Sequence, residues 1–218
     1  MIIAVDGPAA SGKGTLARAL SEEFNLAYLD TGSLYRATAA RLLADGNADP
    51  TEDQATKAAD SIAAADRESP DLRSEATGQL ASKVAAMPGV RASLLAFQRN
   101  FAANPPNGKR GAVMDGRDIG TVVLPNADKK LFITATAEAR AHRRFLEISA
   151  SGDPTTEDQV LSALVDRDQR DAERARSPMV QAPDAYLLDT TELDIDAALL
   201  AAKAYISGQT AKARIERH

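Results

Sequence analysis

The chain of 218 residues contains no cysteine and only two histidines, His142 and His218. The absence of cysteine excludes disulfides, thiolate nucleophiles and cysteine-ligated metals. With so few histidines, one of them the final residue, a histidine-based triad or a zinc site is not expected. No apolar run approaches the length of a transmembrane helix, so we expect no membrane association.

The charge balance also lacks any excess of positive charge. The formal net charge is −5, which gives no general attraction to a nucleic-acid polymer or an anionic membrane. Any phosphate site must therefore be a local concentration of arginines. The opening residues "MIIAVDG" enter a strand at once and leave no room for a signal peptide, so we expect a cytoplasmic protein.

Five short apolar runs predict β-strands: "IIAVD" (2–6), "AYLD" (27–30), "AVMD" (112–115), "KLFITA" (130–135) and "AYLLD" (185–189). They are too continuously apolar for one-sided antiparallel strands and are typical of buried parallel strands. Helical patterns between them indicate a doubly wound α/β sheet, with ligands outside the carboxyl ends of the strands. Four runs end in an aspartate at that edge, namely Asp6, Asp30, Asp115 and Asp189.

One connection is far longer than a crossover between parallel strands requires. Between Asp30 and Ala112 the sequence shows no convincing strand but four helical patches, at 34–44, 52–66, 74–87 and 90–103. An all-helical insertion at the ligand edge is more typical of a substrate-binding subdomain than of a loop.

The segment "GPAASGKGT" (7–15) follows the first strand and opens the first helix. Its spacing, G-x-x-x-x-G-K, is that of a P-loop, in which backbone N–H groups and a helix N-terminus surround phosphate oxygens. Lys13 would bridge the β- and γ-phosphates. The predicted nucleotide-binding residues are Gly7, Pro8, Ala9, Ala10, Ser11, Gly12, Lys13, Gly14 and Thr15. A glycine-rich turn without a ligand is the alternative.

The residue after Lys13, which is usually a Ser or Thr that binds Mg²⁺, is Gly14, and the hydroxyl follows at Thr15. G-K-G-T resembles the nucleoside monophosphate kinases, which rely more on metal-bound water. Thr15 and Asp115 are then the candidate metal residues, both through water. Asp115 could instead simply cap the end of its strand.

The stretch "MDGRDIGTVV" (114–123) places Arg117 and Asp118 on a glycine-hinged turn after the third strand. The two charges either pair with each other at a surface turn or face a polar ligand. Near the same edge, "YLDTGSLYR" (28–36) begins a helix that carries Arg36.

A further candidate site lies in the segment 157–176. One helical stripe, which begins apolar and becomes charged, is formed by Val160, Leu164, Arg167, Asp171 and Arg174. Such a helix would run out of the core into a polar cavity, although i,i+4 ion pairs could equally decorate an exposed face. Nearby arginines at 140, 143, 144 and 176 favour an anion site.

Taken together, these motifs resemble the bacterial cytidylate kinases over nearly the whole chain. "GPAASGKGT", "YLDTGSLYRA", "GRDIGTVVLPNADKKLFITA", "RARSPM" and "DAYLLDTT" occur in the family's order. The resemblance implies a P-loop NTPase-type five-stranded parallel sheet with helices on both faces. It implies a core (1–36, 104–140 and 177–218), a helical insertion that binds the monophosphate (37–103) and a lid (141–176).

The resemblance also implies a reaction and the residues that carry it. ATP with Mg²⁺ would phosphorylate CMP or dCMP to CDP or dCDP, in a monomer. Arg36, Arg117 and Arg174 would bind the acceptor phosphate, and Ser82, Arg91 and Asp118 would read the cytosine. Arg167 and Asp171 would hold the sugar, and Thr31 stands where the family often has serine. The predicted catalytic residues are Lys13, Arg117, Asp118 and Arg174.

Two other functions are compatible with parts of the pattern. Another small P-loop kinase, acting on UMP, AMP or shikimate, would share the phosphate loop. A nucleotide sensor without turnover would also use that loop. The Arg117–Asp118 pair and the large insertion favour the cytidylate kinase interpretation.

Overall fold

The computed structural model describes residues 1–62, 66, 72, 74–150, 154–174 and 177–208. Within these residues, five strands form one sheet in the order β2-β3-β1-β4-β5. The strands are β1 (Ile2–Asp6), β2 (Ala27–Asp30), β3 (Ala112–Gly116), β4 (Lys129–Thr134) and β5 (Tyr186–Asp189). Each of the four pairings is parallel. The predicted five-stranded parallel sheet is confirmed.

Some strand ends differ from the prediction by one residue. β3 continues to Gly116, which lies opposite Asp6 of β1. β4 runs from Lys129 to Thr134, one residue earlier at both ends than predicted, and β5 begins at Tyr186. Hydrogen bonding to the neighbouring strand sets these ends, and the apolar pattern of the sequence alone does not predict where that hydrogen bonding stops.

Helices fill the connections between the strands. In the described part of the chain the α-helices are α1 (Lys13–Glu23), α2 (Thr31–Ala44), α3 (Glu52–Asp60), α4 (Glu75–Val84), α5 (Pro88–Ala103), α6 (Ala137–Ser149), α7 (Glu157–Ala172) and α8 (Ile195–Ile206). A short π-helix (Ile119–Val123) follows β3. None of the described helices has both the length and the apolar character needed to span a bilayer.

The sheet is covered on both faces. Ile3 and Val5 of β1 pack in one apolar cluster with α1 and α8. Ala4, between them in sequence, packs on the opposite face in a cluster that includes the π-helix and Ala102 of α5. Side chains alternate across a strand, so a strand with helices on both faces is apolar at every position. This explains the continuous apolar runs in the sequence.

The long connection between β2 and β3 is helical in its described residues, as predicted. Helices α2 to α5 pack around an apolar cluster that includes Leu34, Leu42, Leu80, Val84, Val90 and Leu94. α3 ends at Asp60, well before the predicted residue 66, and residues 63–65 lie outside the described part of the chain. The boundaries of the insertion at 37 and 103 stay a prediction.

The predicted helical stripe on α7 ends earlier than its pattern suggests. α7 begins after Thr156, which forms a capping box with Gln159, and it ends at Ala172. Arg174 therefore lies beyond the helix. Val160 and Leu164, the apolar half of the stripe, are buried against α6 and the loop before α1. The lid boundaries stay a prediction, and residues 151–153, 175 and 176 lie outside the description.

Candidate active site

The loop between β1 and α1 has the backbone of a phosphate cradle. Gly7 has φ +148°, and a Cβ atom there would lie 2.0 Å from the carbonyl oxygen of Ile133, so only glycine fits. Gly12, with φ +81°, forms the N-cap of α1, which begins at Lys13. The loop therefore leads directly into a helix N-terminus, where unsatisfied N–H groups favour an anion.

Lys13 contacts its own loop. Its Nζ donates a hydrogen bond to the carbonyl oxygen of Pro8 at 3.3 Å. Burial lowers the pKa of Lys13, and the nearby Arg117 lowers it further. A phosphate in the cradle would oppose both effects, because it adds negative charge beside the ammonium group.

Asp115, near the end of β3, is held in place by two neighbours. Its Oδ1 accepts a hydrogen bond from the Tyr28 hydroxyl at 2.9 Å, and its carbonyl oxygen accepts one from Thr31 Oγ1 at 2.7 Å. Burial and the nearby Asp30 raise the pKa of Asp115. A Cβ atom at Gly14 would lie 3.7 Å from Asp115 Oδ2, so the first turn of α1 faces this carboxylate.

A cleft of about 80 Å³ opens beside these residues. All of the predicted substrate-binding side chains line it: Thr31, Arg36, Ser82, Arg91, Arg117, Asp118, Arg167, Asp171 and Arg174. Lys13, Asp30, Tyr35 and Asp115 line it as well. The lining holds six formal cations against four carboxylates in a protein of net charge −5. The cleft therefore carries a local excess of positive charge, which favours an anionic ligand.

Arg117 and Asp118 do not pair with each other. Arg117 Nε donates to Asp171 Oδ2 of α7 at 2.9 Å, whereas Asp118 pairs with Arg91 of α5. Asp118 is also only 5% exposed. The surface-turn alternative is therefore wrong, and the two side chains extend toward different elements of the same cleft.

Asp171 connects two of the arginines. It pairs with Arg117 and, through its other oxygen, with Arg174. Burial raises the pKa of Asp171, but Arg117, Arg174 and Arg167 together outweigh that effect and hold its pKa below the ordinary value. Burial raises the pKa of Asp118, in spite of its pairing with Arg91.

Two predicted residues on the insertion, Ser82 and Arg91, also face the cleft. Ser82 is 5% exposed, and its Oγ has no hydrogen-bond partner among the described residues. A buried hydroxyl without a partner is costly, which favours a partner on a bound ligand. Arg36, on α2, pairs with Asp30.

Sequence reasoning missed Tyr35 and Ser177. Tyr35 lines the cleft, and the Arg91 guanidinium lies 5.9 Å from its ring centroid. The Ser177 side chain lies near Asp118 and lowers its pKa, against the effect of burial. Tyr35 directly precedes the predicted Arg36, but no periodicity distinguishes it from a core residue.

The arginine-rich stretch of α6 has structural partners instead of lining the cleft. Arg140 donates to the carbonyl oxygen of Ala9 at 3.2 Å and pairs with Asp168 at 2.6 Å. Arg143 bonds Thr190, and Arg144 forms an i,i+3 pair. None of these three arginines lines the cleft, and residue 176 lies outside the described residues.

The chain matches a known protein family over most of its length. The model of the cytidylate kinase family matches residues 3–206. The chain belongs to the cytidylate kinase family. A cytidylate kinase of Rhodopseudomonas palustris is 51% identical over 203 residues, which cover 93% of each chain. One of Cereibacter sphaeroides is 53% identical over 197 residues, which cover 90% of each chain.

Solved structures support the fold class. A shikimate kinase of Bacteroides thetaiotaomicron superposes with a TM-score of 0.51 at 13% identity, covering 95% of this chain and 98% of that one. At that identity the likeness concerns the fold alone. The predicted membership of the cytidylate kinases and the predicted α/β kinase fold are both confirmed.

Proposed function

We propose that this protein transfers the γ-phosphoryl group of ATP to CMP or dCMP, giving ADP and CDP or dCDP. The observation that carries the proposal is one continuous cleft. Lys13 of the phosphate cradle lines it together with three arginines suited to a monophosphate and with the buried Asp118. Donor and acceptor can therefore meet in one chain, which supports a monomer.

At the donor end, the loop from Gly7 to Gly12 would surround the β- and γ-phosphates with backbone N–H groups. Lys13 would exchange the carbonyl oxygen of Pro8 for phosphate oxygens. Its ammonium group then neutralises charge that spreads over the transferring group in the transition state.

The residues near Lys13 fit Mg²⁺, which proteins bind through one or two carboxylates together with substrate phosphates and water. Asp30 lies close enough to Asp115 to raise its pKa, and α1 faces Asp115 across Gly14. Asp115 would hold the ion through water, with Thr15 beside it. The ion supplies further charge neutralisation on the phosphates.

At the acceptor end, Arg36, Arg117 and Arg174 would bind the monophosphate. Each of them is paired with a carboxylate. A phosphate can accept two parallel hydrogen bonds from a guanidinium group and carries more charge than a carboxylate. Arg167 and Asp171 would contact the sugar.

The base would lie against α4, α5 and the turn after β3. Asp118 can accept a hydrogen bond from the exocyclic amine of cytosine, as carboxylates do. Ser82 and Arg91 would contact the remaining polar edge, and the Tyr35 ring lies beside Arg91. Uracil presents a carbonyl where cytosine has the amine, and a carboxylate repels it.

The reaction needs no general base from the protein. The attacking oxygen belongs to a phosphate monoester, which is already ionised near neutral pH, so the protein mainly aligns two anions and neutralises their charge. Phosphoryl transfer breaks the bond from the γ-phosphorus to the bridging oxygen of ADP and forms one to the CMP oxygen.

The proposal is tested by ADP release with ATP, Mg²⁺ and a panel of CMP, dCMP, UMP, AMP, GMP and shikimate. We expect CMP or dCMP to give the highest catalytic efficiency. Preferred turnover of another acceptor would contradict the proposal, and binding of ATP without ADP release would favour a sensor. Sedimentation and cell fractionation test the monomer and the cytoplasmic location.

A further inference from the structure

Asp6, the last residue of β1, lies outside the cleft lining but contacts the turn that carries Arg117 and Asp118. Its Oδ1 accepts a hydrogen bond from the backbone N–H of Ile119 at 2.7 Å, and its Oδ2 accepts one from Gly120 at 2.7 Å. Asp6 is 4% exposed. Both oxygens of a buried carboxylate are thus used on two consecutive amides of one turn.

These amides begin the π-helix whose N-cap is Asp118. An aspartate at an N-cap usually accepts a hydrogen bond from its own helix. The Asp118 side chain makes no such bond, because it pairs instead with Arg91 on the other side of the cleft. Asp6 therefore satisfies the helix N-terminus that Asp118 leaves open.

The turn is also packed closely against Asp6. A Cβ atom at Gly120 would lie 3.3 Å from Asp6 Oδ2 and 3.1 Å from Lys130 Cδ. On the other side of Asp6 the chain continues directly into Gly7, whose position against Ile133 tolerates no side chain. One carboxylate thus joins the start of the phosphate cradle to the acceptor turn.

Burial of this carboxylate is unfavourable in itself. Desolvation raises the pKa of Asp6 to about 7, against the two amide hydrogen bonds, which favour its charged form. Hydrogen bonds to a charged acceptor are stronger than those to a neutral one, so the ionised group holds the turn more firmly than an amide would.

We propose that Asp6 is a positioning residue for acceptor recognition: it caps the turn after β3, so that Asp118 does not cap its own helix and is available to read the base. This role rests on the proposed function. Asp6 would touch neither substrate and would act only through the turn.

The test compares Asp6→Asn with Asp128→Asn. Asp128 Oδ2 accepts the backbone N–H of Ile2 at 2.6 Å, at the opposite end of β1. Each variant removes the charge of a carboxylate that accepts a hydrogen bond from the backbone, and the two carboxylates lie at opposite ends of β1. Only Asp6 lies beside the acceptor turn. In Asp6→Asn an amide N–H group would face a backbone N–H group, which leaves a buried donor without an acceptor.

We expect Asp6→Asn to lower catalytic efficiency with CMP by roughly 10- to 100-fold, the usual cost of an unsatisfied buried donor. The loss should appear mainly in KM for CMP and should reduce the ratio of CMP to UMP efficiency. KM for ATP should stay within about twofold of wild type, because the lost hydrogen bonds hold the acceptor turn and not the phosphate loop. Asp128→Asn should keep the wild-type ratio.

An unchanged ratio and KM for CMP in folded Asp6→Asn, with an active wild type, would overturn the positioning role and leave the proposed function intact. Absence of CMP turnover in the wild type would overturn both. If Asp6→Asn does not fold, Gly120→Ala takes its place, because its Cβ presses on Asp6 Oδ2. A wild-type CMP/UMP ratio in folded Gly120→Ala would then overturn the role.

Discussion

The two ends of the cleft hold their positive charges in different ways. At the donor end, Lys13 contacts the neutral carbonyl oxygen of Pro8. At the acceptor end, Arg117 and Arg174 both pair with the carboxylate of Asp171. The donor end is built from consecutive residues, whereas the acceptor end joins residues far apart in the chain.

This difference has consequences for binding and for mutation. The carbonyl oxygen of Pro8 is neutral, so removal of Lys13 breaks no ion pair at hydrogen-bond distance, although the buried Asp115 loses a nearby cation. A carboxylate orders an arginine before the ligand arrives, which reduces the entropy lost on binding. Removal of that arginine, however, leaves Asp171, which is 1% exposed, with one partner fewer. We therefore expect the donor end to tolerate substitution structurally better than the acceptor end.

The largest expected effect is that of Lys13→Ala. Phosphoryl transfer should fall by roughly 100-fold or more, because single electrostatic contacts to a transition state are typically worth that much. The thermal unfolding midpoint should stay near the wild-type value. Lys57→Ala, on an exposed lysine of α3 with a surface partner, is the control. Turnover above about a tenth of wild type would contradict the P-loop assignment.

Replacing Arg36, Arg117 or Arg174 by Ala tests the acceptor end of the cleft in the same way. Each change removes a charged contact to the monophosphate, so KM for CMP should rise or turnover fall by roughly 10- to 100-fold. The effect at Arg36 should be the smallest, because its side chain is 27% exposed, against 15% for Arg117 and 7% for Arg174.

KM for ATP should be nearly unchanged in these three variants. Arg41→Ala, on the same helix as Arg36 but 47% exposed, is the control and should behave as wild type. An arginine whose loss weakens ATP as much as CMP would belong to the donor end instead.

The smallest effect is expected from Tyr28→Phe, which keeps the ring in the core but removes the hydrogen bond to Asp115. The Mg²⁺ concentration for half-maximal turnover should rise by a few fold, the worth of about one hydrogen bond. KM for CMP should not change. Tyr205→Phe, whose ring stacks on Tyr186 away from the cleft, is the control. No change in Mg²⁺ dependence would remove Asp115 from the metal site.

The sequence could predict the donor end because its geometry is local. The phosphate cradle is a run of consecutive residues, and the glycines that permit its backbone are visible in the motif. The parallel sheet was equally accessible, since burial on both faces leaves continuous apolar runs.

Much of the acceptor end depends on ion pairs between residues that are distant in sequence, and the periodicity of the sequence does not predict these pairs. The partner of Arg117 lies 54 residues further along the chain, and the pairing of Arg117 with Asp118 was as compatible with the sequence as the observed one. Arg140 carries the charge expected of a residue that binds an anion, but it contacts the carbonyl oxygen of Ala9 in the phosphate loop and the carboxylate of Asp168. Only the packed chain separates these cases.

The most direct measurement is the ratio of catalytic efficiencies for CMP and UMP in Asp118→Ala. If Asp118 reads the cytosine amine, efficiency with CMP should fall roughly 10- to 1000-fold, because a buried donor loses a charged partner. Efficiency with UMP should fall much less or even rise, so the ratio should collapse. A proportional loss with both acceptors would contradict the assignment of base recognition to this end of the cleft.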